Sequence, residues 1–136
     1  WISKGVIIIN NDFYFDDVIQ FWLLGTNEQI DEVEKHFKGL TFFKWGTFGA
    51  DVIPAFRDKG TGIKKILSIM NYDINNTYAF GDSDNDVPMF KVCKTSVVMG
   101  KCTPKARDAA TYITGPIEEG GLAEAVRKYV LNEKKA

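Results

Sequence analysis

The 136-residue sequence has no long apolar run: its longest, residues 6–9 and 21–24, fall far short of what a membrane helix needs, which is about 20 residues. No signal peptide is recognisable, and no repeat or low-complexity stretch interrupts the chain. Charge of one sign is also missing: 17 basic and 18 acidic side chains leave a formal −1. That balance offers no electrostatic reason to expect nucleic acid or an anionic membrane as a partner. Cysteine is scarce, and Cys93 and Cys102 form neither a closely spaced metal pair nor a disulfide framework, so a reduced cytoplasmic setting is expected. Histidine occurs once, as His36 within the charged run Asp31-Glu32-Val33-Glu34-Lys35-His36, which reads as a solvated helix face. With 45% hydrophobic residues, the chain can nevertheless bury a globular core of one domain or two small ones.

The densest chemistry is Gly81-Asp82-Ser83-Asp84-Asn85-Asp86, three carboxylates in five positions after the apolar run Thr77-Tyr78-Ala79-Phe80. In an open α/β sheet, ligands sit beyond the carboxyl ends of the strands. Packed carboxylates repel one another unless a cation or protons neutralise them. An EF-hand would also alternate Asp, but its glycine position is Val87 and its bidentate glutamate position is Cys93. Helix capping before Val87-Pro88 accounts for one acidic residue and leaves Asp82 and Asp86 unexplained. Magnesium takes one or two carboxylates together with phosphate and water, which suits this cluster.

Upstream, Ile63, Ile66, Leu67 and Met70 recur at helical spacing after Lys59. About ten helical residues at 1.5 Å each run out about 15 Å, and a strand at about 3.3 Å per residue returns a similar distance. Lys59 is therefore expected at the same end of the layer as Asp82. An ammonium there, beside the amides of a helix N-terminus, would face an anionic substrate.

The remaining pattern divides in two. Residues 21–24 read as a strand, and Thr26 with Gln29 as a capping box for a helix whose Ile30, Val33 and Phe37 share a face and which Gly39 stops. Residues 40–45 and 47–53 read as strands joined by a turn at Gly46, giving βαββ. After a crossing at 54–58, helices at 60–70, 86–91, 104–109 and 120–131 alternate with strands at 77–81, 95–99 and 111–114, which favours a parallel sheet. The crowded aromatics of the first part, among them Phe13, Tyr14, Phe15, Phe21, Trp22, Phe37, Phe42, Phe43, Trp45 and Phe48, are expected mostly in the core of a small sheet.

Lys59 before a helix, the Gly-Asp-x-x-Asn-Asp motif at 81–86, Val97-Val98-Met99-Gly100 and Glu118-Glu119-Gly120-Gly121-Leu122 together resemble the C-terminal half of a haloacid dehalogenase superfamily phosphatase of the Cof-like type. The resemblance implies an α/β fold: part of a mixed α/β cap over residues 1–54, then the C-terminal part of a Rossmann-like core over 55–136. It also implies magnesium and hydrolysis of small phosphorylated metabolites through a phospho-aspartate. Carried over by position, Asp82 becomes a metal ligand, and Asp86 a second metal ligand or the holder of a metal-bound water. Asn85 positions the phosphoryl group or Lys59, and Lys59 balances charge on nucleophile and phosphoryl. Ser83 and Asp84 fall at variable positions and receive no catalytic role.

Two departures stand out. Lys101-Cys102 replaces the Asn-Ala common after Met-Gly, and no Asp-x-Asp-Gly nucleophile motif occurs, Asp12, Asp16 and Asp17 lacking its spacing and glycine. A site without its attacking carboxylate should not turn over. The chain is therefore expected to be part of a longer phosphatase, inactive alone, with an open edge, a self-association contact or missing polypeptide beside strand 77–81. The alternatives are a non-catalytic α/β module binding phosphate or metal and, more weakly, a phosphoacceptor receiver, whose basic partner would lie downstream of its aspartate.

Overall fold

The computed structural model describes residues 19–133. The expectations that fall on Asp12, Phe13, Tyr14, Phe15, Asp16 and Asp17 lie outside the described residues. Two three-stranded sheets follow one another along the chain.

The first sheet contains β1 (Phe21–Thr26), β2 (Leu40–Lys44) and β3 (Phe48–Pro54), in the order β1-β3-β2 and antiparallel throughout. Between β1 and β2 runs α1 (Asn27–Glu34), started by the capping box: Gln29 N–H donates to Thr26 Oγ1 at 3.4 Å, and Thr26 N–H to Gln29 Oε1 at 2.9 Å. Such a cap stabilises a helix by about 1 kcal/mol. Ile30 drives into the sheet face formed by Ala50 and Val52, and all three are fully buried.

Two expectations need correction here. α1 ends at Glu34, five residues before Gly39, because the chain tightens into short turns in which His36 N–H reaches Val33 O and Phe37 N–H reaches Glu34 O. The aromatics do not mostly form the sheet's core: Phe21, Trp22, Phe37, Trp45 and Phe48 are all exposed. One short helix cannot cover both faces of three strands. Phe21, Leu23, Val33, Phe37, Leu40 and Phe42 line an open apolar cavity of about 470 Å³ beside α1. On the other face Trp22 and Trp45 meet edge to face, 5.7 Å between centroids.

The second sheet is parallel, in the order β4 (Tyr78–Gly81), β5 (Thr95–Val98), β6 (Tyr112–Ile113). Its helices are α2 (Lys59–Met70), α3 (Val87–Val92), α4 (Pro104–Ala109) and α5 (Gly121–Ala125), the last running on as a π turn over Val126–Val130. Ala79, Phe90, Val98 and Ala106 form the buried core between strands and helices. Among the described residues β4 pairs with β5 alone, so its other edge carries no strand. No helix among these residues is long and apolar enough to cross a membrane.

Candidate active site

The site grows from the end of β4. Gly81 closes the strand, and the chain turns through a single 3-10 turn, Asp84–Asp86, into α3. Asp86 folds back beneath that turn: its Oδ2 accepts from the backbone N–H of Asp82 at 2.9 Å and of Ser83 at 3.1 Å. The glycine is required by this fold-back, since a Cβ at 81 would stand 2.4 Å from that same oxygen. Asp86 is 4% exposed, so its charge demands a partner.

Lys59 is that partner. Its Nζ lies 2.5 Å from Asp86 Oδ1 and 3.3 Å from Asn85 Oδ1. A cation in the first turn of a helix opposes the helix dipole, so the lysine is held there by the acid and not by its own helix. Asp58 caps α2, its carboxylate accepting from Thr61 N–H at 2.7 Å. Gly60 then lets α2 close on α3, because a Cβ at that position would meet the Pro88 carbonyl oxygen at 2.4 Å. Ser83 Oγ donates to Asn85 Oδ1 at 2.8 Å, which fixes the amide with its oxygen toward the lysine.

Asp82 stands apart. Its main chain is tied down at both ends, N–H to Asp86 and carbonyl to Thr103 N–H at 2.8 Å. Its side chain is exposed at the carboxyl end of the sheet and takes no hydrogen bond from the described residues. Asp84 points the other way, to Lys105 Nζ at 3.0 Å. Burial alone would raise its pKa, but hydrogen bonds from the Thr103 hydroxyl and the Lys105 ammonium prevail and hold it below the ordinary aspartate range. Lys101, which stands where the resembled family has Asn, pairs with Glu118 at 3.1 Å. Glu118's own backbone N–H first, and then that contact, lower the Glu118 pKa.

The four sequence-derived candidates thus fall into a contacting trio, Lys59, Asn85 and Asp86, and one free carboxylate, Asp82. Among the described residues no group of three or more His, Cys, Asp or Glu side chains could hold a metal ion. The donor set therefore fits a cation bound mainly by water and substrate, with Asp82 as the available protein ligand. Both oxygens of Asp86 already accept hydrogen bonds, so a metal there would share Oδ1 with Lys59. Sequence reasoning passed over Gly60, Ser83 and Thr103. The Ser83-x-x-Asp86 spacing was a readable capping-box signal, whereas Gly60 and Thr103 act through contacts distant in sequence.

Strand β2 packs near the Asp84–Asp86 turn. Residues 3–126 match the haloacid dehalogenase-like hydrolase family. The chain belongs to that family. It is 38% identical over 101 residues to the protein YkrA of Bacillus subtilis (strain 168), covering 72% of this chain and 39% of the relative. It is 30% identical over 96 residues to the 5-amino-6-(5-phospho-D-ribitylamino)uracil phosphatase YwtE of the same organism, covering 71% of this chain and 34% of the relative. Among solved structures it is similar to the HAD subclass IIB sugar phosphatase BT4131, with TM-score 0.77 and 29% identity over 83% of this chain and 44% of that one. The chain thus spans well under half the length of these relatives.

Proposed function

We propose that this chain is the C-terminal part of a magnesium-dependent phosphatase that hydrolyses small phosphorylated metabolites in the cytoplasm through a phospho-aspartate. In this reading residues 1–54 belong to the cap and 55–136 to the catalytic core. The observation that carries it is the Lys59–Asp86 contact at 2.5 Å beside an uncommitted Asp82 carboxylate at the end of a parallel sheet. YwtE and BT4131 are named for a ribityl phosphate and a sugar phosphatase, and the proposal takes from them only the class of small phosphate esters.

Asp82 and, through its shared oxygen, Asp86 would hold the metal, which when bound supplies a Lewis acid beside the phosphoryl oxygens. Lys59, aimed by Asp86 and Asn85, places a positive charge where phosphoryl oxygens gather negative charge. Asn85, with its oxygen committed to Lys59 and Ser83, leaves its NH₂ as a donor toward the same oxygens. The attacking carboxylate comes from outside these 136 residues, since no Asp-x-Asp-Gly motif occurs in them. The 136-residue chain alone is accordingly inactive, and the longer protein active.

The test is magnesium-dependent release of phosphate from a panel of sugar and polyol phosphates by both proteins. Turnover by the 136-residue chain that disappears in Asp82→Asn would show that the nucleophile is present after all. No turnover by the longer protein would favour the second reading, a phosphate- or metal-binding module without hydrolytic chemistry.

A further inference from the structure

The face of the first sheet turned away from α1 carries a carboxylate among aromatic rings. In the two ladders Asp51, on the central strand β3, stands opposite Trp22 on β1 and Phe43 on β2. These three share one face, because the alternate residues Phe21, Leu23, Phe42 and Val52 line the cavity on the α1 side. Trp45 joins them by folding back over β3: a Cβ on Gly49 would stand 2.7 Å from Trp45 Cε3. Trp22 meets Trp45 edge to face. Aspartate is depleted from strands, so its place in the middle of this sheet calls for a reason. No ion pair among the described residues includes Asp51. Gln20 Nε2 donates to its Oδ1 at 2.6 Å, and its Oδ2 takes no hydrogen bond from the described residues.

We propose that this face holds the leaving group of the phosphate ester, and that the leaving group is a sugar ring. The face is continuous with the catalytic site, since β2 packs near the Asp84–Asp86 turn. From Phe43 through Asp51 to Trp22 the row leads away from that turn over two strand spacings, about 10 Å, a span that a hexose phosphate can bridge. Trp22 and Trp45 offer apolar surface to the C–H face of the ring, and Asp51 Oδ2 accepts charge-assisted hydrogen bonds from its hydroxyls. Gln20 holds the other oxygen and so fixes the carboxylate. A leaving group bearing an ammonium would also suit an acid among rings, but it binds strongly only where aromatic side chains desolvate it. Trp22 is 70% exposed on an open sheet, which favours a stacked sugar. Trp22, Trp45 and Asp51 are thereby specificity-determining residues that do not touch the phosphoryl group. The inference rests on the phosphoryl site at Lys59 and Asp82.

Titration of the 136-residue chain with glucose 6-phosphate or inorganic phosphate in the presence of Mg²⁺, read by amide and indole NMR signals, separates the two. Inorganic phosphate is expected to shift only the amides of 81–86. Glucose 6-phosphate is expected to shift these and the indole N–H signals of Trp22 and Trp45, and to bind about tenfold more tightly, the worth of a ring contact and a hydrogen bond. Trp22→Ala and Asp51→Ala should each remove most of that advantage and leave inorganic phosphate binding unchanged, with Trp22→Phe retaining it. Shifts at 81–86 with silent indoles, or an advantage that survives both alanine variants, overturn the sugar surface and leave the phosphoryl site standing. Phosphoethanolamine binding more tightly than glucose 6-phosphate, and losing that affinity in Asp51→Ala, overturns the sugar in favour of an ammonium. If neither phosphate moves the amides of 81–86, the phosphatase reading fails and the leaving-group role falls with it.

Discussion

Gly60 and Pro88 meet backbone to backbone: a Cβ on Gly60 would stand 2.4 Å from the Pro88 carbonyl oxygen and 2.8 Å from its carbon. This contact sets how closely the first turn of α2 approaches α3, and hence whether Lys59 can reach Asp86. A backbone carbonyl cannot swing aside as a side chain can.

Gly60→Ala is therefore expected to push α2 off α3 and to destabilise the chain by about 1–3 kcal/mol, the range for overpacking a close contact. Thermal or urea unfolding measures it. Helix propensity alone would make alanine the better residue by about 1 kcal/mol, so a neutral or stabilising result would show that the two helices can part freely.

Lys59 and Asp86 should respond unequally. Lys59→Met removes a half-exposed cation and leaves Asp86 with two backbone donors, for a loss of about 1–2 kcal/mol once solvent screening is allowed for. Asp86→Ala leaves the lysine able to turn to water but strands the N–H groups of Asp82 and Ser83, for a loss of about 2–4 kcal/mol. Chemical denaturation of both variants checks the order. Equal losses would mean that the ion pair, and not the backbone contacts, dominates.

Glu28 should titrate below an ordinary glutamate, chiefly because the Thr26 hydroxyl bonds its carboxylate. A folded-state pKa below the unfolded one means that the contact stabilises the fold above the unfolded value and that this contribution is lost as pH falls through the folded one. Carbon-detected NMR titration should find the Glu28 midpoint rising toward the unfolded value in Thr26→Ala.

The apolar cavity beside α1 should bind a hydrophobic dye such as ANS in the native chain. Phe37→Glu, at a half-exposed position on its wall, should lower that fluorescence severalfold while moving the unfolding midpoint little. Unchanged fluorescence would locate the dye elsewhere.

Much of the fold was legible because its signals are local. The spacing of Thr26 and Gln29 predicts the start of α1, Pro104 and Ala109 bound a helix at the expected residues, and the alternation after residue 58 yields the parallel sheet. The end of α1 was not legible, because Phe37 continues the apolar face in sequence while the chain has already turned away. The exposure of Trp22 and Phe48 was equally hidden: apolarity says that a side chain prefers burial, not whether a second layer exists to bury it.

By itself, the amino-acid order determined that a strand delivers a carboxylate-rich turn and that a lysine opens the preceding helix, since both follow from spacing and capping within a few residues. Only the tertiary structure decided that Asp86 turns inward to Lys59 while Asp82 is left facing solvent. Those two aspartates are of one residue type, four positions apart. What separates them is desolvation: the packing of α2 on α3 buries one carboxylate, which must then collect every donor within reach, and the other keeps its water.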